Sequence, residues 1–557
     1  MERAADLVLR GGSVVTIDAA GSVASAVAVR DGRIVAVGDD RDVRAFVGGS
    51  TDLIELRGRT LLPGFGDAHV HVGKGGLDRL MIDLSPVATL AEYGGIVGRY
   101  AVDHREPGWL TGGGWAKGVF PGGAPTADML DAHVSDRPVF LNDRDNHSGW
   151  VNSAGLRAAG LSTATPDPPD GRIERDSRGQ PTGCLHEGAM RLVTDLLPPP
   201  DENLVVDSLL EGQRYLHSVG VTQWQDAIVG SYDPMPETYD AYVRIASDGR
   251  LTGRVVAALW VPRGATDDDL DLIRDRRSRG SVGRLRSTSV KIMADGVCEN
   301  FSAAMLEPYL AADGQASGGR GTSFFSRDEL HRLVPLLDRE GFDVHIHALG
   351  DRAVRDALDS IAAARAANGW MDTRPHLAHL QVVHPDDRAR FRPLGVTATF
   401  QPLWAAHDPQ MDELTIPFLG AERAAWQYPI RSIAAAGATI AFGSDWPVSS
   451  ADPLWEMHVA VDHTMPDGYL YASAADRGRT FMPDERISLA AAIRAFTMGT
   501  AFVNHLETET GSIEVGKAAD LVVLDRDVFA TPRGAIADAR VLLTMIGGLV
   551  AHEAPGL

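Results

Sequence analysis

Two histidines, His69 and His71, stand one residue apart in "GFGDAHVHV", residues 64–72. On a strand, residues two apart point to the same side, so both imidazoles can reach one ion. The spacing returns with His345 and His347 in "VHIHALGD", and a wider pair, His376 and His379, stands in "HLAHL". Lys291 lies inside the apolar "SVKIM" and Asp445 inside "FGSDWPV". Nitrogen and carboxylate ligands arriving from several strands are what a hydrolytic zinc site needs. Taken singly, each group has a plainer reading: a hydrogen-bonded core pair for the histidines, a snorkelling side chain for the lysine, a turn for Gly-Ser-Asp. Their recurrence in order on successive short strands favours the metal site.

The elements that must position these groups are legible in the same stretches. "TSVKIMADG", "FDVHIHALG", "PHLAHLQVV", "GVTATFQP" and "ATIAFGSD" are short and apolar, and helical segments such as "SRDELHRLVPLLDREG" and "DRAVRDALDSIAAARAANG" lie between them. Strand-then-helix repetition predicts a parallel sheet. With "GVTQWQDA" and "RLTGRVVAALW" upstream, it predicts an α/β fold, a (β/α)8 TIM-like barrel whose strand ends converge on one site. A doubly wound open sheet is the alternative, although no Gly-x-Gly-x-x-Gly follows a strand to suggest a dinucleotide. Residues 1–60 and 490–557 read as short strands broken by glycine turns, which predicts a small β-sandwich assembled from both termini around a 61–489 barrel. Between about 78 and 200 the chain is rich in Gly, Pro and Trp, a long insertion expected to cover the active face. Its Trp109, Trp115 and Trp150 suit either a hydrophobic substrate or ordinary packing.

Composition narrows the function classes. With 53 Lys and Arg against 75 Asp and Glu, the 557-residue chain carries a net charge of −22. That argues against nucleic acid or an anionic membrane as partner. Two cysteines, Cys184 and Cys298, are too few for a disulfide framework or a cysteine zinc motif. No apolar run is long enough to span a bilayer and "MERAADLVLRGG" has no signal core, so a cytoplasmic location is expected.

Longer motifs carry a family resemblance. "LLPGFGDAHVHV", "GWAKGVFPGGAPTADMLDAHVSDRPVFL", "NHSGWVNSAGL", "PTGCLHEGAM", "VKIMADGVCENFSAAMLEPY", "HALGDRAV", "ATFQP", "GSDWPV" and "GSIEVGKAADLVVLDRD" follow one another over nearly the whole chain. In them the sequence resembles the amidohydrolase superfamily and, within it, the YtcJ-like group that includes N-substituted formamide deformylase. The resemblance implies one or two divalent ions, zinc first. His69 and His71 match the first-strand ligand pair, Lys291 a lysine that some relatives carboxylate, and His347, His379 and Asp445 the ligands of strands five, six and eight. His345 and His376 match no ligand and are assigned to the core or to support of the ligands. The stretch "ADGVCENFSAAM" replaces "DGSLGSRTA" of many relatives, and Trp404 falls where many carry histidine, so the substrate pocket is expected to differ.

The expected chemistry is hydrolysis of a C–N bond in an amide or N-substituted formamide, a small-molecule substrate. The ions would bring the pKa of water from 15.7 towards ~7 to supply hydroxide. Asp445 would act as acid/base, taking the water's proton and passing it to the leaving nitrogen. His147, Asn152, Glu187 and Trp404 are the expected substrate contacts, with a loop-stabilising hydrogen bond or cap as the equal alternative for Asn152 and Glu187. A deaminase or a hydrolase of cyclic amides or carbamates is the competing enzyme reading, and a non-catalytic scaffold is disfavoured because every expected ligand position is filled. A homodimer is expected, as the commonest soluble oligomer.

Overall fold

A computed structural model describes residues 3–232, 236–470, 472, 473, 475–531 and 535–556. At its centre are eight parallel strands: β1 (Phe65–Val70), β2 (Val221–Val229), β3 (Arg254–Trp260), β4 (Leu285–Met293), β5 (Asp343–Ala348), β6 (His376–His379), β7 (Thr397–Phe400) and β8 (Ile440–Phe442). They pair in chain order as one continuous ladder. Every residue of β1, β2, β3, β5, β6 and β7 is buried, as expected of strands covered on both faces. Register sets the histidines in rows, with Lys291 opposite His345, His345 opposite His376, and Ala348 opposite His379.

The eight strands form a nearly closed barrel. No ladder joins β8 to β1, and side chains hold the seam. The Asp67 carboxylate accepts from the Ser444 N–H at 3.0 Å and the Ser444 hydroxyl at 2.5 Å, while the Asp445 N–H donates to the His69 carbonyl at 2.7 Å. A Cβ on Gly443 would lie 2.5 Å from the His69 nitrogen, so only glycine lets the two strands approach this closely. Residues 489–503 are helical and lie across the same seam, where the Thr500 hydroxyl reaches the Gly66 and Phe442 carbonyls at 3.2 and 3.3 Å.

Both termini enter a second eight-stranded sheet, in which Thr60–Pro63 pairs antiparallel with Leu521–Leu524. Strand alternation splits the side chains of that join. Leu521 and Val523 pack with Leu9, Val27 and Leu543, while Val522 and Leu524 join the barrel's core. The insertion folds as a third sheet of six strands between Ile82 and Glu187. Trp115 and Trp150 are completely buried in its own core, which leaves them no role on a substrate wall. Among the described residues, no helix is long and apolar enough to cross a membrane.

Candidate active site

The histidines, the lysine and the aspartate meet at the C-terminal end of the barrel strands. His69 closes β1 and His71 follows it; Lys291 lies in β4, His347 in β5, His379 ends β6, and Asp445 follows β8. The Nε2 atoms of His69 and His71 lie 3.2 and 3.0 Å from Asp445 Oδ1, and His379 Nδ1 lies 3.9 Å from Asp445 Oδ2. Lys291 Nζ is 3.5 Å from His69 Nε2. His69, His379 and Asp445 each offer one ligand atom, and these atoms lie within 4.8 Å of one another. Asp445 (φ 55°) and His379 (φ 78°) hold left-handed backbone conformations, the local strain that aims side chains at functional sites.

The donor set suits a cation. His379 Nε2 is buried without a hydrogen-bond partner, which leaves its lone pair free for an ion. Burial works against the Asp445 carboxylate, but the His71 hydrogen bond and the surrounding positive groups outweigh it and hold its pKa below the usual value. Burial takes the Lys291 amine down to about 7, against the pull of Asp445. Borderline-soft nitrogen with hard oxygen on converging strands is the ligand chemistry of a divalent ion such as zinc.

Behind this row lies a second one. His345 Nε2 is 2.9 Å from His69 Nδ1, and its Nδ1 is 2.6 Å from Gln225 Oε1. His376 Nε2 is 2.7 Å from the same Gln225 oxygen. His345 and His376 therefore lie beneath the row of His69, His347 and His379, one layer deeper in the barrel. Above the row, the Trp404 ring lies parallel to His379, 5.3 Å between centroids, and its Nε1–H donates to Ser449 at 3.2 Å.

A cleft opens over His347, His379 and Asp445. Trp404 and His147 line it, together with Arg144, Asp145, Glu299 and Asp408. The insertion thus supplies part of the wall. Asn152 does not reach it. Its Oδ1 accepts from Val139 and Gly155 N–H groups at 3.0 and 2.8 Å, and its Nδ2 donates to the Val134 and Arg137 carbonyls, both at 2.9 Å, so every side-chain valence is spent inside the insertion. Glu187 stands behind His147, with its oxygens 3.0 Å from the His147 Nδ1.

The amidohydrolase family pattern matches residues 52–552, nine-tenths of the chain. The chain belongs to the amidohydrolase family. Among curated proteins it is similar to LONG AFTER FAR-RED 3 of Arabidopsis thaliana, 31% identical, covering 98% of this chain and 91% of that one. It is 28% identical to the N-substituted formamide deformylase of Arthrobacter pascens over the full length of both. The YtcJ protein of Bacillus subtilis is 29% identical over 98% of each. Among solved structures, a metal-dependent hydrolase from Pyrococcus furiosus superposes with a TM-score of 0.69 at 25% identity, covering 94% of this chain and 99% of that one. An adenosine deaminase from Xanthomonas campestris with bound zinc shares the fold, with a TM-score of 0.53 at 16% identity over 98% and 93%.

The sequence reading of this amidohydrolase missed the groups that hold the wall in place. Lys117 is buried between Asp143 and Asp145, at 2.5 and 2.8 Å, and Asp143 also accepts from the N–H groups of His147 and Ser148, both at 2.9 Å. That clamp fixes residues 143–148, from which Arg144, Asp145 and His147 enter the cleft. The run of charge in "DRDNHS" was the available signal. Gln225 was signalled by polar residues inside the buried strand "VTQWQDAIV".

Proposed function

We propose that this amidohydrolase cleaves the C–N bond of an amide or N-substituted formamide at the cluster of His69, His71, Lys291, His347, His379 and Asp445. The observation that carries the reading is this convergence of four imidazoles, an amine and a carboxylate from six positions on the barrel, with His379 Nε2 left unpartnered. The full-length likeness to a formamide deformylase supports the bond type. Zinc is the ion this donor set favours, and when bound it supplies Lewis acidity for the carbonyl and for water. His69, His71, His379 and Asp445 would hold it, with His347 and Lys291 beside them. A buried amine with a pKa of about 7 is substantially unprotonated at neutral pH, the state needed to form a carbamate with CO2, which supports a two-ion site; without the carbamate the remaining groups suit one ion.

Asp445 is the acid/base. It accepts a proton from the attacking water as the C–O bond forms, and returns it to the leaving nitrogen as the C–N bond breaks. Trp404 gives the substrate a flat apolar wall, and His147, on which Glu187 acts, gives it a polar contact. The shared core of Leu9, Val27, Leu521 and Leu543 supports a sandwich drawn from both termini, with bounds that differ from 1–60 and 490–557 and from a 61–489 barrel: residues 490–503 are helical on the barrel seam and the strand Thr60–Pro63 belongs to the terminal sheet. Two buried free cysteines suit a cytoplasmic setting, and a homodimer is the assembly to test by light scattering. The deciding experiment is metal analysis of the purified protein, with a panel of N-formyl, N-acyl and cyclic amides read by amine and ammonia release. Amine release that a chelator abolishes and zinc restores is expected. A zinc-loaded protein that releases ammonia alone would move the reading to deamination.

A further inference from the structure

The loop held by Lys117 carries a group with no part in the steps above. Asn146 follows Asp145, is 6% exposed, and lines the small cavity that also holds His69, His71, Lys291 and Asp445. Its N–H donates to the Asp143 carbonyl at 3.2 Å, and the Asp143 carboxylate takes the N–H groups of the next two residues, His147 and Ser148, at 2.9 Å. Asn146 therefore sits in a turn gripped on both sides, with φ 60°. Asparagine tolerates that left-handed conformation, and most residues with a side chain do not. The side-chain NH2 donates to the Arg144 carbonyl at 3.5 Å, while Oδ1 is buried with no hydrogen-bond partner among the described residues. The contact with Arg144 settles which end of the amide is which. Turned over, the amide would set its oxygen against a carbonyl oxygen, acceptor against acceptor. The atom left over is thus an uncharged acceptor.

Native interiors pair nearly all buried acceptors, because an unpaired one keeps the cost of its lost water. Asn146 Oδ1 lacks a protein donor in a residue that walls the cavity of the ligand cluster. Ile228, Met293 and Val448 line the same cavity and have no side-chain hydrogen to donate. An amide substrate brings two polar groups to this place. Its carbonyl oxygen is an acceptor and cannot pair with Oδ1. Its nitrogen pairs only while it carries a hydrogen. A secondary amide or an N-monosubstituted formamide has that hydrogen, and an N,N-disubstituted amide has none.

We propose that Asn146 is a specificity-determining residue whose Oδ1 accepts the N–H of the scissile amide, so that the site selects amides with a hydrogen on nitrogen over N,N-disubstituted ones. This rests on the C–N hydrolase reading. No proton passes to Asn146; the bond holds the nitrogen while Asp445 carries the proton from water to it. An N-methyl group in that place would meet Oδ1 with carbon and leave the acceptor bare, which is how a site built around a hydrogen bond rejects the analogue lacking it.

The test compares the zinc-loaded full-length protein with its N146G and N146D variants. Glycine suits φ 60°, so N146G removes the carboxamide without backbone strain. N146D keeps an acceptor oxygen at the same reach. Metal content, thermal midpoint and kcat/KM are measured, the last on the best secondary amide of the panel and on its N-methyl counterpart. Wild type should favour the secondary amide by about tenfold or more. In N146G that preference should collapse through a loss of about tenfold on the secondary amide, the worth of one neutral hydrogen bond. The N-methyl amide should stay within about threefold of wild type, with metal content unchanged. N146D should retain the preference. An unchanged preference in N146G, equal losses on both amides, a lost preference in N146D, or loss of metal from N146G, which would make Asn146 a ligand, would overturn the proposal. If N146G does not fold, the wild-type and N146D preferences decide. If wild type hydrolyses neither amide, the C–N reading falls, and N-phenethylformamide and N-methyl-N-phenethylformamide serve as unreacted binding probes. Calorimetry should then show about tenfold tighter binding of the first by wild type and no difference in N146G. Equal binding of the two by wild type would overturn the role of Asn146 independently.

Discussion

Replacing His345 with phenylalanine tests the layer beneath the ligands. For His69 Nε2 to present a lone pair to an ion, His69 Nδ1 must carry the ring hydrogen and give it to an acceptor. The atom in place is His345 Nε2, 2.9 Å away. His345 is an acceptor there only if its own hydrogen is on Nδ1, and that nitrogen meets the Gln225 side-chain oxygen at 2.6 Å. The chain Gln225–His345–His69 therefore fixes one tautomer at each ring. Phenylalanine fills the space and cuts the chain. Loss of such a support typically weakens metal binding about 10–100-fold, and that is about 1.4–2.8 kcal/mol at ~1.4 kcal/mol per decade. The orphaned His69 Nδ1 adds a folding penalty of about 1–3 kcal/mol, since it is buried and its partner is gone. Competition with a chromophoric chelator measures the zinc affinity, and thermal unfolding with and without chelator separates the two effects. H345Q, whose amide oxygen can still accept, should keep more affinity than H345F. If H345F binds zinc as tightly as wild type while remaining folded, the tautomer argument is wrong.

Other perturbations probe the remaining machinery. D445N should retain most of its metal through the histidines and lose about 10²–10⁴-fold in kcat, the usual worth of a positioned acid/base group; parallel metal analysis and steady-state kinetics check both. Lys291 has a folded pKa of about 7, below its unfolded value, so between these values the unfolded chain binds more protons and the stability of chelator-treated protein should rise with pH from 7 towards 10. Urea melts across that range should show the rise, and K291M should flatten it. K117M strands the buried carboxylates of Asp143 and Asp145 and should cost about 3–5 kcal/mol, read by urea melts, with a rise in KM as residues 143–148 loosen. W404A removes the wall stacked on His379 and should raise KM more for aromatic than for small aliphatic amides, measured side by side on one panel.

Much of the barrel was legible because its signals are local. A short apolar strand followed by an amphipathic helix identifies itself within about twenty residues, and repetition of that unit fixes parallel pairing. The convergence of the histidines was legible for a related reason: residues two apart share a face, so His69 and His71 were expected to point together, and both approach one oxygen of Asp445. The same rule alone could not separate His347 from His345. Both face inward, but a strand rises about 3.3 Å per residue, so His345 sits a layer lower, where it meets His69 from below instead of joining the cleft. For Asn152 the sequence offered two readings, a substrate contact and a cap, and the cap is the one that the structure shows. An asparagine immediately before "SAGLRA" is a helix N-cap signal, and its Oδ1 accepts the Gly155 N–H as that role requires. The clamp on residues 143–148 was beyond local reading, because its cation, Lys117, arrives from a different turn of the insertion.

The seam between β8 and β1 explains why one carboxylate sits beside another in a site that collects histidines. A closed ladder would have fixed the end of β8 with backbone bonds. Here that end carries Asp445, which must bend into the left-handed region to face the row, and a regular ladder cannot follow it there. Backbone bonds from the Asp445 N–H to the His69 carbonyl and from the His71 N–H to the Trp446 carbonyl hold it in part, and a side chain that accepts several hydrogen bonds at one point holds the rest. Asp67 does so: its carboxylate takes the N–H of His69 at 3.0 Å, the N–H of Ser444 at 3.0 Å and the Ser444 hydroxyl. An asparagine has one acceptor oxygen and would turn donor hydrogens toward donors. Burial pushes Asp67 up to about 7, and these three bonds pull against that rise. Asp67 thus supports the bend at Asp445, because it spans the gap across which Asp445 leaves the sheet.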